Sequence, residues 1–193
     1  MATISTSNYN IGGIDLYFNA SPAHSSLLAT DPSVASGLGG AFRTSGNSIG
    51  NIVSAEIAPD VTYVEHFVAD CGKKKKDKTV AQLVNVSIPI VTDEMNYNNL
   101  KRFFMASYLG STKMAVAEEP LTEGAAQFVF KTDVGIDMVY FIPKCTLRSD
   151  GALTTSADDW WTAPMVLDVL YYNTSHWSSK PYGMVLASTI GCT

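Results

Sequence analysis

The clearest hydrophobic pattern in the chain runs over 79–91, where apolar and polar residues alternate. Five apolar side chains share one parity, interrupted only by Gln82: Val80, Val84, Val86, Ile88 and Ile90. A period of two is typical of a β-strand with one face in a core and the other in water. This stretch is therefore predicted to be a long strand in the wall of a sheet.

Seven other stretches carry strand-like patterns bounded by glycine, proline, asparagine or aspartate, which commonly end strands. They cover 13–19, 52–58, 61–68, 127–131, 134–142, 165–172 and 182–190. Pro59-Asp60 is expected to separate the second stretch from the third. Because 61–68 has apolar residues at both parities, the sequence predicts that both of its faces are covered.

One helix is predicted, over 93–105. Thr92 or Asp93 is the expected N-cap, and the carboxylates of Asp93 and Glu94 would lie where the helix dipole favours anions. The predicted inward stripe follows the helical spacing i, i+3 and i+7. It consists of Tyr97, Leu100 and Phe104.

Together these elements predict a mainly β fold, a β-sandwich or barrel-like sheet with one flanking α-helix and long extended arms and loops. A chain of 193 residues fits a single domain. We expect an N-terminal arm at 1–12, a long loop at 20–50 and a basic loop at 69–78. The first residues lack a signal-peptide pattern, and no apolar run reaches membrane-spanning length, so no membrane partner is expected.

The formal charge of −5 is unevenly spread along the chain. Six acidic residues and one arginine in 1–72 give −5, while five lysines and one aspartate in 73–78 give +4. An acidic body argues against nucleic-acid binding as the main task, because phosphate binding depends on cations. The basic segment consists of Lys73, Lys74, Lys75, Lys76, Asp77 and Lys78, and is called the lysine run below.

The lysine run has three interpretations. It could be a targeting or nucleic-acid patch, a solvated hairpin tip, or a cationic contact with the acidic body of a neighbouring subunit. The charge asymmetry favours the third interpretation. A basic finger that meets an acidic face on another copy is a heterologous contact, and such contacts build rings or filaments.

Catalytic and metal-binding patterns are weak in this sequence. His24, His66 and His176 share no metal-ligand spacing, and His66 is expected to be a hydrogen-bonded strand residue. Cys71 with His66 would need a third group to orient the base. Asp93-Glu94 fits the start of a helix better than a catalytic pair. We therefore expect no enzyme, no metal and no cofactor, and three widely spaced cysteines favour a reduced compartment.

Asp158-Asp159-Trp160-Trp161 carries two adjacent tryptophans. Exposed tryptophans suit flat ligands such as sugar rings, so a carbohydrate-binding β-sandwich is an alternative function, with Trp177 as a further aromatic residue. A hydrophobic anchor in a subunit contact is at least as compatible with these residues, because tryptophan is enriched at interface hot spots.

Three segments together resemble the major tail tube proteins of tailed bacteriophages. They read GIDLYFN at 13–19, YVEHFVADCGKKKKDK at 63–78 and VSIPIVTDEMNYNNLKRFFM at 86–105. The resemblance implies a β-sandwich subunit that forms hexameric rings, stacked into a tube around a tape-measure protein. Tail terminator and tip proteins are further implied partners, and DNA passes through the channel without specific binding. The implied location is the virion tail, assembled in the host cytoplasm.

The resemblance also implies roles for individual residues. The lysine run would contact the next ring, and 79–91 would form barrel wall. The family's channel is commonly acidic, which fits repulsion of DNA phosphates, and Asp137 and Asp168 are the predicted channel-lining residues. A tube of a bacterial contractile injection or secretion system fits the same residues and stays open as an alternative.

Overall fold

The computed structural model of the chain describes residues 13–20, 43–110, 112–119, 121–131, 137–173, 177 and 179–188. The predicted arm at 1–12 and most of the predicted loop at 20–50 lie outside these residues, as do His24, His176 and Cys192. At the end of that predicted loop, β2 already begins at Ser48.

The described part of the chain contains ten strands and one helix, so the prediction of a mainly β fold with one helix is confirmed. The strands are β1 Ile14–Asn19, β2 Ser48–Ala55, β3 Ala58–Asp70, β4 Lys73–Thr92, β5 Ser107–Tyr108, β6 Met114–Ala115, β7 Thr122–Phe130, β8 Asp137–Ser149, β9 Ala163–Val169 and β10 Met184–Ser188. The helix, α1, spans Tyr97–Phe103. All strand pairs are antiparallel.

Six of the strands form a closed ring of pairings. The cycle runs β1, β2, β4, β9, β8, β7 and back to β1. Closure removes free edges from these strands, which otherwise template unwanted pairing. The body is therefore a barrel, from which β10 extends along 137–141 of β8 and β3 extends along β4.

The barrel interior is filled by alternate side chains of its strands. Leu16 and Phe18 of β1 and Phe128 of β7 are at most 1% exposed, as are Ile88 and Ile90 of β4. These residues belong to one apolar cluster that also includes Phe103 of α1. The parity predicted for 79–91 is confirmed for Val86, Ile88 and Ile90, which face this core, whereas Val80 is exposed.

A second apolar cluster covers part of the outer barrel surface. It contains Val129, Val139, Phe141 and Trp177, with Met184 of β10 packed against it. Trp177 is 1% exposed, so it is a core residue of this cluster and not a sugar-stacking surface. Gln127 of β7 is also fully buried, and its side-chain amide has no hydrogen-bond partner among the residues that the structure describes.

The helix is shorter than predicted, and its predicted cap was wrong. The N-cap is Asn96, whose side chain accepts a hydrogen bond from the Asn99 amide. Thr92 donates instead to the Asn51 carbonyl at 2.8 Å, and Asp93 and Glu94 both accept hydrogen bonds from Asn51. These contacts with β2 hold 92–94 outside the helix.

The prediction of which helix residues face the core was also partly wrong. The buried residues of α1 are Asn99 and Phe103, whereas Leu100 is half-buried. Tyr97 stacks on Tyr108 outside the core, with ring centroids 5.1 Å apart. Phe104 follows the helix and packs against the barrel core from its edge.

Candidate interaction surface

The lysine run is part of a β-hairpin and not of a loop, which corrects the prediction for 69–78. β3 and β4 pair from Ala58 with Ser87 to Asp70 with Lys73, so only Cys71-Gly72 remains as a turn. Both turn residues have positive φ, 51° and 78°. Two-residue hairpin turns with this backbone match the natural twist of the strands, which explains why so short a turn suffices.

The hairpin projects from the barrel as a two-stranded ribbon. β9 pairs with β4 only over 86–92, and β2 pairs with β4 only near Ile90–Thr92. Residues 61–70 and 73–83 therefore have no strand partner, among the described residues, other than each other. At about 3.3 Å per residue this ribbon is roughly 35 Å long. The predicted break at Pro59-Asp60 was wrong, since both residues lie within β3.

Both faces of the hairpin expose apolar side chains, contrary to the prediction that both faces of 61–68 are covered. The strand register places Tyr63 and Phe67 on one side, called the aromatic face. The opposite side, called the aliphatic face, carries Val64, Val68, Val80 and Leu83. Tyr63 is 60% exposed and Leu83 is 59% exposed. Within one chain, nothing that the structure describes covers either face.

Charges on the hairpin are largely paired across its strands. Lys75 pairs with Asp70 and Lys76 pairs with Glu65. The hydrogen bond from Lys75 is the main cause that lowers the pKa of Asp70. Residues 58–83 hold five lysines and four acidic residues, so the formal charge of the hairpin is only +1.

His66 and Asp77 form a further pair on the hairpin, with 2.6 Å between Nδ1 and Oδ1. The prediction that His66 is a hydrogen-bonded strand residue is confirmed. At the tip, Lys73 and Lys74 are exposed and have no ion-pair partner among the residues described. Lys78 of β4 is also exposed without an ion-pair partner among these residues, so two of the three unpaired lysines lie at the end of the hairpin.

A second surface lies at the other end of β4 and includes the predicted Trp160-Trp161 pair. An open cavity of about 400 Å³ is lined by Val53 of β2, Asp93 after β4, and Thr154, Asp159, Trp160 and Thr162. We call this surface the notch. Thr154 and Thr162 form an isolated β-bridge that closes the loop carrying the tryptophans.

The two tryptophans of this loop are held differently. Trp161 donates from Nε1 to the Ser156 carbonyl at 3.2 Å, which fixes its ring. Trp160 is 82% exposed. Asp159 accepts a hydrogen bond from the Trp160 amide, and Asp93 accepts from the Asn51 side chain, but neither carboxylate is in an ion pair within the described part of the chain. The notch thus joins an exposed aromatic ring to two carboxylates without cationic partners.

The two predicted channel-lining aspartates lie in different places. Asp168 of β9 accepts from Arg148 Nε at 2.9 Å and from Ser87 Oγ at 3.1 Å. Its charge is therefore compensated by a neighbouring strand. Asp137 is the first residue of β8 and pairs in register with Ser188, and its side chain is not among those the structure describes.

Two polar residues of the helix have structural roles that the sequence did not indicate. Asn99 is 1% exposed and donates to the carbonyls of Ile49 and Glu94. Arg102 donates to the carbonyls of Phe18 and Gly46, and burial lowers its pKa. A helical pattern predicts that polar residues such as Asn99 and Arg102 face water. The only signal in the sequence for buried polar contacts is that these two residues lie close to Phe103 on the helix.

Groups with catalytic potential are dispersed in the described residues. No cluster of three histidine, cysteine, aspartate or glutamate side chains suited to a metal occurs there. Cys145 is fully buried in the barrel, and burial raises the pKa of its thiol. Cys71 lies at the exposed hairpin turn. In the same described part of the chain, no helix has the length and apolar character needed to cross a membrane.

Comparison of the sequence with protein-family models finds no match, and comparison with curated proteins finds no significant relative.

Proposed function

We propose that the protein is a self-assembling structural subunit of a phage tail tube, without enzymatic activity. The observation that carries this proposal is the β3–β4 hairpin, which exposes apolar side chains on both faces beyond the barrel. The resemblance of 63–78 and 86–105 to major tail tube proteins supports the same function. Stacked hexameric rings around a channel are the assembly that this family implies.

The energetics of the hairpin favour burial by other subunits. A two-stranded ribbon alone is marginally stable in water. Full burial of an aliphatic or aromatic side chain contributes about 1.5–3 kcal/mol relative to exposure. Six large side chains on two faces can therefore offset a substantial part of the entropic cost of association. Because the faces are on opposite sides, covering both requires contacts on two sides of the ribbon.

The closed barrel is compatible with a rigid tube wall. Its own edges are satisfied, whereas the outer edge of β10 and both edges of the hairpin have no strand partner among the described residues. Edges of this kind support pairing between chains. In the proposed tube, Asp137 and Asp168 stay candidates for the channel wall. Asp168 forms an ion pair with Arg148, so the patch formed by Asp168 and Arg148 is neutral.

Negative-stain electron microscopy of the purified protein, concentrated at low and at high salt, tests this proposal. We expect rings or tubes with a central channel. A protein that stays monomeric at every concentration and salt level contradicts it. Gene neighbourhood distinguishes a phage tube from a secretion or injection tube, because capsid and terminase genes accompany the former and a secretion ATPase the latter.

A carbohydrate-binding module is the second candidate function, favoured by the exposed ring of Trp160 above an open cavity. Such a module would bind a glycan as a monomer, through stacking of the sugar on the indole. A glycan array with wild-type protein and with Trp160→Ala tests this function. An absence of glycan binding, or binding that the substitution leaves unchanged, removes this candidate.

A further inference from the structure

We propose that the notch of one subunit receives the lysine tip of the hairpin of a second copy of this chain. This inference rests on the proposed assembly and names the surface that accepts the hairpin. The tip supplies Lys73 and Lys74, and the notch supplies Asp93, Asp159 and the ring of Trp160.

The geometry of β4 excludes this contact within one subunit. Lys73 is the first residue of β4, and Asp93 directly follows its last residue. Twenty residues in extended conformation separate the two ends by roughly 60 Å. The cationic tip and the carboxylates of the notch are therefore held apart by one continuous strand, and they can meet only between two molecules.

The chemistry of the two surfaces is complementary. Lys73 and Lys74 lack ion-pair partners, and so do Asp93 and Asp159, within the described residues. An exposed tryptophan ring also attracts a nearby ammonium group through its π face. The apolar stem behind the tip, with Phe67 and Val68, matches the apolar part of the notch around Val53 and Trp160. Charge pairing at such a contact chiefly sets orientation and partner choice.

The predicted contact is head-to-tail, because tip and notch are different surfaces. Each subunit then offers one free tip and one free notch, so the contact propagates to further copies. A two-fold dimer, by contrast, would form both tip–notch contacts between the same two subunits, so no further copies could be added. This difference gives the inference a direct readout in the size of the linked products.

Disulfide trapping tests the contact with a native thiol, since Cys71 already lies at the hairpin turn. Asp159→Cys is introduced in a Cys192→Ser background, which leaves the buried Cys145 as the only other cysteine. Mild oxidation of the assembled protein should give a reducible ladder of dimers, trimers and longer species. The matched control is Glu118→Cys, an exposed position elsewhere on the body, which should give no ladder.

Charge exchange tests the same contact without a covalent bond. Lys73→Glu with Lys74→Glu, and separately Asp159→Lys with Asp93→Asn, should each weaken self-association at least about tenfold, because like charges then face each other. Mixing the two variants should restore association, since each acidic tip then meets a basic notch. Lys113→Glu and Glu118→Lys, which each reverse one exposed charge elsewhere on the body, serve as controls for charge reversal away from the contact. Circular dichroism verifies that all variants stay folded.

The outcomes separate this inference from the proposed function. The inference is overturned if the notch variants assemble as well as the wild type and Asp159→Cys gives no ladder. The proposed function would then remain intact. A ladder that stops at dimers overturns the head-to-tail contact. A wild type that is monomeric under all conditions overturns both, and glycan binding lost in Trp160→Ala then assigns the notch to a sugar.

Discussion

Asn99 donates a hydrogen bond from Nδ2 to the main-chain carbonyl of Ile49, with 2.6 Å between the two atoms. The same nitrogen donates to the Glu94 carbonyl at 2.8 Å. Asn99 is almost fully buried, so these bonds form away from water. One side chain thus fastens α1 to β2 and to the segment between β4 and the helix.

Asn99→Ala is expected to lower the free energy of unfolding by about 1–3 kcal/mol, because the buried carbonyl of Ile49 and the partly buried carbonyl of Glu94 lose this donor. Urea denaturation followed by circular dichroism measures this change. Asn98→Ala is the control, since Asn98 is exposed on the same helix and its bond to Tyr108 is open to solvent. Equal losses in both variants would show that helix propensity, and not the buried contact, determines the effect.

Gln127→Leu is expected to stabilise the protein. The amide of Gln127 is fully buried without a hydrogen-bond partner in the described part of the chain, and an unsatisfied buried polar group costs about 1–3 kcal/mol. Leucine has a similar volume and no polar atoms to desolvate. Thermal unfolding should show a higher midpoint than wild type, whereas Gln82→Leu on the exposed hairpin should show no increase. A lower midpoint for Gln127→Leu would mean that the amide binds a buried water.

Stability is expected to fall at alkaline pH because of Cys145. Burial raises the pKa of this thiol in the folded protein above its ordinary value of 9.0. Above pH 9 the unfolded chain therefore loses a proton that the folded chain retains, so the unfolded state is favoured as pH rises. The slope approaches about 1.4 kcal/mol per pH unit.

Unfolding free energies measured between about pH 8 and pH 10 check this slope, within the range where an ordinary thiol titrates. Cys145→Ala should reduce the slope, even though the cavity lowers stability at every pH. Identical slopes in wild type and Cys145→Ala would contradict the assignment and point to Tyr140, whose pKa burial also raises.

Each face of the hairpin is expected to contribute separately to self-association. Tyr63→Thr with Phe67→Thr alters the aromatic face, and Val64→Thr with Val68→Thr alters the aliphatic face. Both double variants place β-branched threonine at the strand positions, so the hairpin should persist. Each should weaken association at least about tenfold, since loss of a buried apolar contact costs more than 1.4 kcal/mol.

Sedimentation velocity over a concentration series measures these changes. Val116→Thr is the control, because Val116 is also an exposed apolar residue and lies in a turn away from the hairpin. A loss of association in one face variant only would show that a single neighbour covers the ribbon. Unchanged association in both would contradict the role of the hairpin as an assembly element.

The sequence predicted the barrel half of β4 well and the exposure of the projecting hairpin poorly. From Val84 onward, alternation coincides with burial in the barrel core. Over 61–68 the apolar residues at both parities predicted two covered faces, but one chain leaves both exposed. Such a pattern reports that two faces favour burial and does not identify the molecule that buries them. The two-residue turn at Cys71-Gly72 could have been found from its glycine and from the strands around it.

The helix cap could not be predicted because several residues competed for it. Thr92 and Asp93 both have cap-compatible side chains, but each is hydrogen-bonded to Asn51 of β2, a residue more than forty positions earlier in the chain. Gly50 permits this approach, since it has φ of 85° and a Cβ there would lie 2.0 Å from Glu94 Oε2. Tertiary contacts of this kind leave no periodic pattern in the sequence. Asn96 caps the helix instead.

The continuity of β4 has a mechanical consequence. The strand runs without a break from the hairpin turn into the barrel, where residues 86–92 are hydrogen-bonded in register to β9. A pull on the tip along the strand axis loads this ladder in shear, with its bonds sharing the force. A sideways pull would instead peel β3 from β4 one bond at a time. The hairpin is thus a tether that resists axial tension far better than lateral bending, and the barrel is its anchor.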